Sequence, residues 1–235
     1  MILSRLTQAF RDQNWFAVAL EFVIVISGVA IGFQITAWNE ARQDEVREAL
    51  VLARLQADFE VIRANTETTL EDLEQRAGHA ATLVSVIKDG SIAPASPEFQ
   101  SALAVAIGTP VPAGRSATYI ELVASGEMRL VRSEPLRRAL VEFDEQVRRH
   151  ELAYDTLAQL VIDNNAILLE YQSLLAAIEG DAGAYADDIE RIRNSAELLA
   201  SAQLMGSISR FNLSWNTGRL ETANTVLEAL SNAGG

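Results

Sequence analysis

The sequence predicts an all-α protein, with a single N-terminal transmembrane helix continuing into an elongated antiparallel helical bundle. Three observations predict it. From Trp15 to Trp38 the chain carries one charge, Glu21. Beyond Glu40, apolar residues recur at alternating steps of three and four, the period of a packed helix. Alternating runs bounded by turns, which would mark strands, are absent. Composition agrees: of 235 residues, 49% are hydrophobic and 22% charged, with no cysteine and two histidines. Disulfides and thiolate chemistry are thereby excluded, and an imidazole metal cluster has little to draw on. With 19 basic against 32 acidic residues the net charge is −13, which argues against a nucleic-acid partner.

The first element is the apolar run. Trp15 and Trp38 stand about 34 Å apart on a helix, matching a hydrocarbon core of about 30 Å with an indole at each interface. Phe22 to Ala37 gives 16 consecutive uncharged residues, more than a soluble core helix ordinarily keeps. A cleaved signal peptide is the rival reading, with Ile35-Thr36-Ala37 as a faint cleavage site; the run is too long for it and Glu21 is misplaced. The flanks orient the span weakly, because basic residues occur on both sides. They favour a cytoplasmic tail over 1–14, a transmembrane helix over 15–38 and an extracytoplasmic bundle over 39–235. That last segment holds 30 acidic and 17 basic residues, so the whole net charge falls on it. Trp15, Trp38, Asn39 and Glu40 are the expected interface anchors.

Within the span, Glu21, Gly28 and Gly32 fall on one line at 100° per residue. Gly28-x-x-x-Gly32 is the small-residue spacing that lets two membrane helices approach, and a carboxylate is expensive in lipid unless paired or protonated. The stripe is expected to face another protein helix; an interfacial Glu21 beside incidental glycines is the plainer reading. Ser27 and Gln34 lie together on another side and offer a second contact.

Glu21, Gly28, Gln34, Trp38, Asn39 and Glu40 keep the spacing of G-E-I-x-L-V-x-x-G-x-x-x-A-L-Q-x-N-x-W-N-E. In this the chain resembles a bacterial family of single-pass membrane proteins catalogued as a domain of unknown function. Thr118-Tyr119-Ile120-Glu121-Leu122 with Ser125-Gly126 resembles that family's T-Y-x-E-L-x-x-S-G segment, and Leu130, Leu136, Arg137 and Leu140 follow suit. The departures are Leu20 for Gly, Gly32 for the frequent Ala and Thr36 for the frequent Asn. The resemblance covers most of the chain. It implies an anchor and a helical domain, and brings no reaction with it.

After Glu40 no proline or turn cluster intervenes before Asp89-Gly90. Leu52, Leu55, Phe59, Ile62, Thr66, Thr69, Leu73, Ala80, Leu83 and Ile87 form a seam broken by Arg76, which leaves two readings: the membrane helix continues as one rod of about 110 Å, or it kinks at the interface near Trp38. A loop from Asp89 to Pro97 leads to a short helix over 97–107, capped by Ser96 with Pro97 in its first turn. Thr109 to Gly114 is a second loop. Thr118-x-x-Glu121 then reads as a capping box opening a helix over 118–125, closed by Gly126. A binding surface made by Arg115, Tyr119 and Glu121 is the functional alternative. Ser133 and Pro135 open a helix over 134–179, whose seam runs Leu136, Leu140, Phe143, Val147, His150, Tyr154, Leu157, Val161, Asn164, Leu168, Tyr171, Leu175, Ile178. His150 and Asn164 are its polar members, expected to fix register; a proton-sensitive His150 is the sharper reading. Gly180 to Gly183 ends this helix, and a last one spans 184–231. Its apolar face is Ile189, Ile192, Leu199, Met205, Ile208, Phe211, Trp215, Leu220, Val226, Leu227 and Leu230. Its middle is polar, with Ser209, Arg210, Asn212, Asn216 and Arg219; the two arginines are expected to pair with carboxylates or to form an anion site. Near-equal long helices suit a bundle completed by the two short ones.

Catalytic signatures are missing. His150-Glu151 lacks the second histidine of a zinc helix, and no nucleophile elbow, P-loop or dinucleotide fingerprint occurs. Adjacent carboxylates such as Asp187-Asp188 face different ways on a helix. No cofactor is expected. Three functions remain: a non-enzymatic accessory or scaffolding subunit of an envelope or inner-membrane complex, an extracytoplasmic sensory bundle signalling through a partner, and an enzyme. The last would need a buried polar pocket around Asn164, Asn212 and Arg210, which with His150 make up the candidate polar cluster. The expected partners are the lipid bilayer and other membrane-protein helices, in a homo-oligomer or larger complex.

Overall fold

The structure, a computed structural model, describes residues 15–89, 96–110, 114–178 and 186–234. Its helices are α1 (Trp15–Asp89), α2 (Pro97–Ala106), α3 (Ala117–Ser125), α4 (Glu134–Ile178), α5 (Ala186–Arg193) and α6 (Ala196–Ala233), with a 3₁₀ turn over Glu127–Leu130. Among the described residues there is no strand. The chain is all-α, and its N-terminal helix is long and apolar enough to cross a membrane. The Gly180–Gly183 helix stop and most of the Asp89–Pro97 loop lie outside the described residues. Two compact units divide the chain, Met1–Leu50 and Val51–Gly235.

The first unit contributes helical backbone from Trp15 onward, and every described side chain from Val18 to Gln43 is exposed.

The second unit carries the core. α4 and α6 run antiparallel: Gln146 meets Thr222, His150 meets Asn212, and Asn164 meets Ser201. One apolar cluster joins Leu55, Phe59 and Ile62 to Leu136, Leu140, Phe143 and Leu230. A second joins Leu83 and Val86 to Phe99, Leu168, Leu198 and Met205. The Val51–Asp89 stretch of α1 therefore runs with α4 and against α6. α2 packs into the second cluster and the α3 residues Tyr119 and Leu122 into the first, so these short helices return the chain to where α4 starts. Phe59 and Phe143 meet edge to face at 4.8 Å, the favoured aromatic geometry. A Cβ on Gly206 would lie 3.3 Å from Ala80 Cβ, so a glycine here permits the close approach of α6 to α1.

The expected α4 seam is the buried one from Leu136 to Leu175, with Tyr154 and Leu157 half-buried. Ser96 caps α2, accepting from Phe99 N–H, and Ser133 caps α4, accepting from Leu136 N–H at 3.4 Å. Arg76, which interrupts the α1 seam, has a role of its own. Its guanidinium donates to the Val105 and Ile107 carbonyls at 2.9 and 2.8 Å and pairs with Asp72. It thus satisfies carbonyls that the end of α2 leaves orphaned.

Three expectations are corrected. Ser116, not Thr118, caps α3: its hydroxyl accepts from Tyr119 N–H at 3.1 Å. Thr118 is buried inside the helix, and Glu121 reaches across to Arg54 instead of back to the cap. The expected last helix over 184–231 is two helices. Ser195 takes an extended conformation, accepts from Leu198 N–H at 3.0 Å and restarts the backbone as α6. Phe211, expected on the apolar face of α6, is exposed, while Ser209, Asn212, Asn216 and Arg219 are buried. Ile178 and Ile189 lie outside the residues whose side chains are described.

Candidate functional site

Two features stand out, one in each unit. In the first, the sequence-predicted stripe of Glu21, Gly28 and Gly32 is exposed, as is Gln34. A Cβ built on Gly28 or Gly32 would meet nothing within 4 Å. Around the stripe Phe22, Val25, Val29, Ile31 and Phe33 are also exposed, so apolar surface faces every direction. Thr36 donates its hydroxyl to the Gly32 carbonyl at 3.1 Å, which satisfies a group that an apolar medium could not. At the far end Trp38 is exposed with the Arg42 guanidinium 6.0 Å above its ring, and Asn39 and Glu40 are exposed beside it. The Trp15 side chain lies outside the described ones.

In the second unit, polar side chains occupy the middle of α6, between residues that belong to the two apolar clusters. The predicted cluster of His150, Asn164, Arg210 and Asn212 is only partly assembled. His150 is buried, with Nε2 3.4 Å from Asn212 Oδ1, and its ring stacks on Trp215 with centroids 5.3 Å apart and planes 14° from parallel. Asn212 Nδ2 donates to Thr109 Oγ1 at 3.1 Å. The amide oxygen therefore faces the imidazole, which assigns the proton of neutral His150 to Nε2. Asn164 belongs elsewhere, donating to the Ser201 carbonyl at 3.3 Å. Arg210 is excluded altogether: it is exposed and donates to Ser207 Oγ.

Other residues complete the layer. Asn216 donates to the Asn212 carbonyl at 2.9 Å, and its Oδ1 has no hydrogen-bond partner among the described residues. Arg219 is 1% exposed, donates to the Gly114 carbonyl at 2.6 Å and lies 5.7 Å from the Phe143 ring centre. Burial lowers its pKa to about 10, partly opposed by the field of Glu151. Thr66 enters from α1, its hydroxyl turned onto the Ile62 carbonyl. The loop beside the layer is held from three sides: Asn165 accepts from Gly108 N–H, Arg76 takes the Ile107 carbonyl, and Asn212 takes Thr109. Gly108 sits at φ +85°, which a side chain would strain. Burial lowers the His150 pKa, the Asn212 contact opposes this, and the Arg219 charge adds to it.

The second family-like segment has a structural role in this arrangement. Asp58 on α1 accepts from Ser116 Oγ at 2.8 Å and from Thr118 N–H at 2.9 Å, tying the start of α3 to α1. Burial alone would raise the Asp58 pKa; the Thr118 and Ser116 hydrogen bonds and the Arg54 charge outweigh it, so the net shift is downward. Of the alternative binding surface, Arg115 and Tyr119 line an open groove of about 350 Å³ with Ile120, Val123 and Val141. Arg115 is engaged by Asp144 at 2.6 Å, and Glu121 turns away to Arg54. Among the described residues no group of three or more His, Asp or Glu side chains could hold a metal ion.

Sequence reasoning left Thr109 and Asn165 out, and set Arg219 apart from this cluster as a residue for carboxylate pairing or an anion site. Arg219 had a usable signal, since it continues the buried stripe Asn212-Asn216-Arg219 at steps of four and three. No protein-family model, curated protein or solved structure matches the chain.

Proposed function

We propose that this chain is a non-enzymatic, membrane-anchored helical protein that acts through protein–protein contacts, as an accessory or scaffolding subunit of a bacterial inner-membrane or envelope complex. The observation that carries the reading is the exposed apolar surface of α1 from Val18 to Trp38. Burying one such side chain is worth about 1.5–3 kcal/mol. A dozen left in water would cost more than a small domain's net stability, so this surface needs lipid or other helices. Glu21, Gly28 and Gly32 on one exposed line suit a second membrane helix, which would shelter the carboxylate. The resemblance to a single-pass membrane family, carried by Glu21, Gln34 and Trp38-Asn39-Glu40, supports the same assignment.

In this reading residues 1–14 are cytoplasmic and the bundle is periplasmic. The lack of native cysteine makes labelling clean. With a membrane-impermeant maleimide, Ser231→Cys should label in spheroplasts and Ser4→Cys only after lysis. The reverse pattern, or release of the chain by alkaline carbonate, overturns the assignment. Gentle detergent extraction should yield a species larger than a monomer, and Gly28→Leu with Gly32→Leu should reduce cross-linking between membrane helices. A lone monomer in detergent would remove the scaffolding role.

A further inference from the structure

The Val51–Gly235 unit holds its two apolar clusters together across a layer that is not apolar. At this level α6 presents Asn212, Asn216 and Arg219, α4 presents His150, α1 presents Thr66, and the loop after α2 presents Thr109, all but Thr109 buried. We propose that this layer is an acid-operated latch: proton uptake by His150 frees Trp215 and Asn212, admits water to the middle of the bundle and uncouples the two apolar clusters. The inference is independent of the membrane and partner reading above.

The geometry gives the reason. Neutral His150 makes one hydrogen bond among the described residues, at Nε2 to Asn212. A second proton creates a donor at Nδ1 that needs water, and a charge that burial penalises. The charged groups around it do not compensate. From α6 comes Arg219, a like charge whose field reaches the imidazole. From α4 comes Glu151, whose field acts on Arg219. On α1 the buried residues between the two apolar clusters are Thr66 and Leu73, both neutral; Arg76, at the loop beside the layer, is paired with Asp72, and Arg63 and Glu67 are exposed. Stacking on Trp215 favours the imidazolium; burial and the like charge of Arg219 oppose it. Trp215 is also the way out: half-buried and tilted against the exposed Phe211, it can swing to solvent without disturbing either apolar cluster.

The test uses the full chain in nanodiscs with Trp15→Phe and Trp38→Phe, leaving Trp215 as the only indole. Between pH 8 and 4.5, Trp215 emission should change in a one-proton step with its midpoint below 6.5, while helical circular dichroism persists. Amides around 147–154 and 209–219 should exchange at least tenfold faster at pH 5, after correction for intrinsic rates, with those of the two apolar clusters still protected. His150→Gln should abolish the emission step; His150→Asn serves as a second neutral replacement if that variant loses its cooperative melt. Arg219→Gln should move the midpoint up toward 6.5. The same emission step in both His150 variants overturns the latch, as does a wild-type change seen only when helicity is lost. Uniform acceleration of exchange across the bundle also overturns it.

Discussion

At the scale of single residues, polar side chains in this bundle are placed where a backbone group would otherwise go unpaired. Arg76 takes the carbonyls at the end of α2, Asn165 the amide of Gly108, Arg219 the carbonyl of Gly114, and Asp58 the amide of Thr118. Each connects a loop or a short helix to a long one. Asp58 gives the clearest pH signature among them. Its folded-state pKa lies below the ordinary value of 3.8. The stability it contributes is therefore present above pH 3.8 and is lost as pH falls through the lower folded pKa. Asp58→Ala should cost about 2 kcal/mol at neutral pH, the usual worth of hydrogen bonds to a charged group. The same variant should show a shallower loss of stability below pH 3.8. Urea titrations at pH 7 and pH 3 would check both.

At the scale of elements, helix ends separate what was legible from what was not. Ser96-Pro97, Ser133 with Pro135, and Gly126 announce their boundaries by residue types whose backbone preferences are strong. Ser195 was missed because Asn194-Ser195 contains no proline or glycine, and a serine inside a long helical pattern carries little weight by itself. What makes it a cap is partly tertiary: Tyr171 on α4 lies 2.6 Å from its hydroxyl and holds it at the break. Ser195→Ala should lower stability by about 1–2 kcal/mol, combining a lost cap with a stranded Tyr171 hydroxyl. A fall in denaturant midpoint with unchanged m-value would confirm it; no change would mean that α5 and α6 break for another reason. The Thr118-x-x-Glu121 pattern failed differently. The spacing is that of a capping box, but Ser116 two residues earlier is oriented by Asp58 and takes the role, leaving Glu121 for Arg54.

At the scale of the whole molecule, the net charge of −13 arises beyond residue 38, and among the described residues both apolar clusters draw only on positions from Val51 onward. A chain beginning at Val51 should therefore be soluble, helical and cooperative in its thermal unfolding, as circular dichroism and calorimetry would show. Aggregation, or a gradual melt, would mean that the preceding residues contribute to the core.

Sequence periodicity alone determined the class, the long helices before and after the two short ones (α1 and α4) and most of the α4 seam, from Leu136 to Leu175. A step of three or four brings side chains to one face of a helix wherever that helix goes. The exposed apolar run of Val18–Trp38 was equally legible, because its character is compositional. Only tertiary structure decided how the polar residues group. His150 and Asn212 were predicted together and meet; Asn164 goes to Ser201, Arg210 faces outward, and Arg219 takes the buried place. The physical reason is that hydrogen bonds between helices depend on register and rotation between two elements. The sequence of either helix specifies its own faces, and only packing sets which residue of one stands opposite which residue of the other.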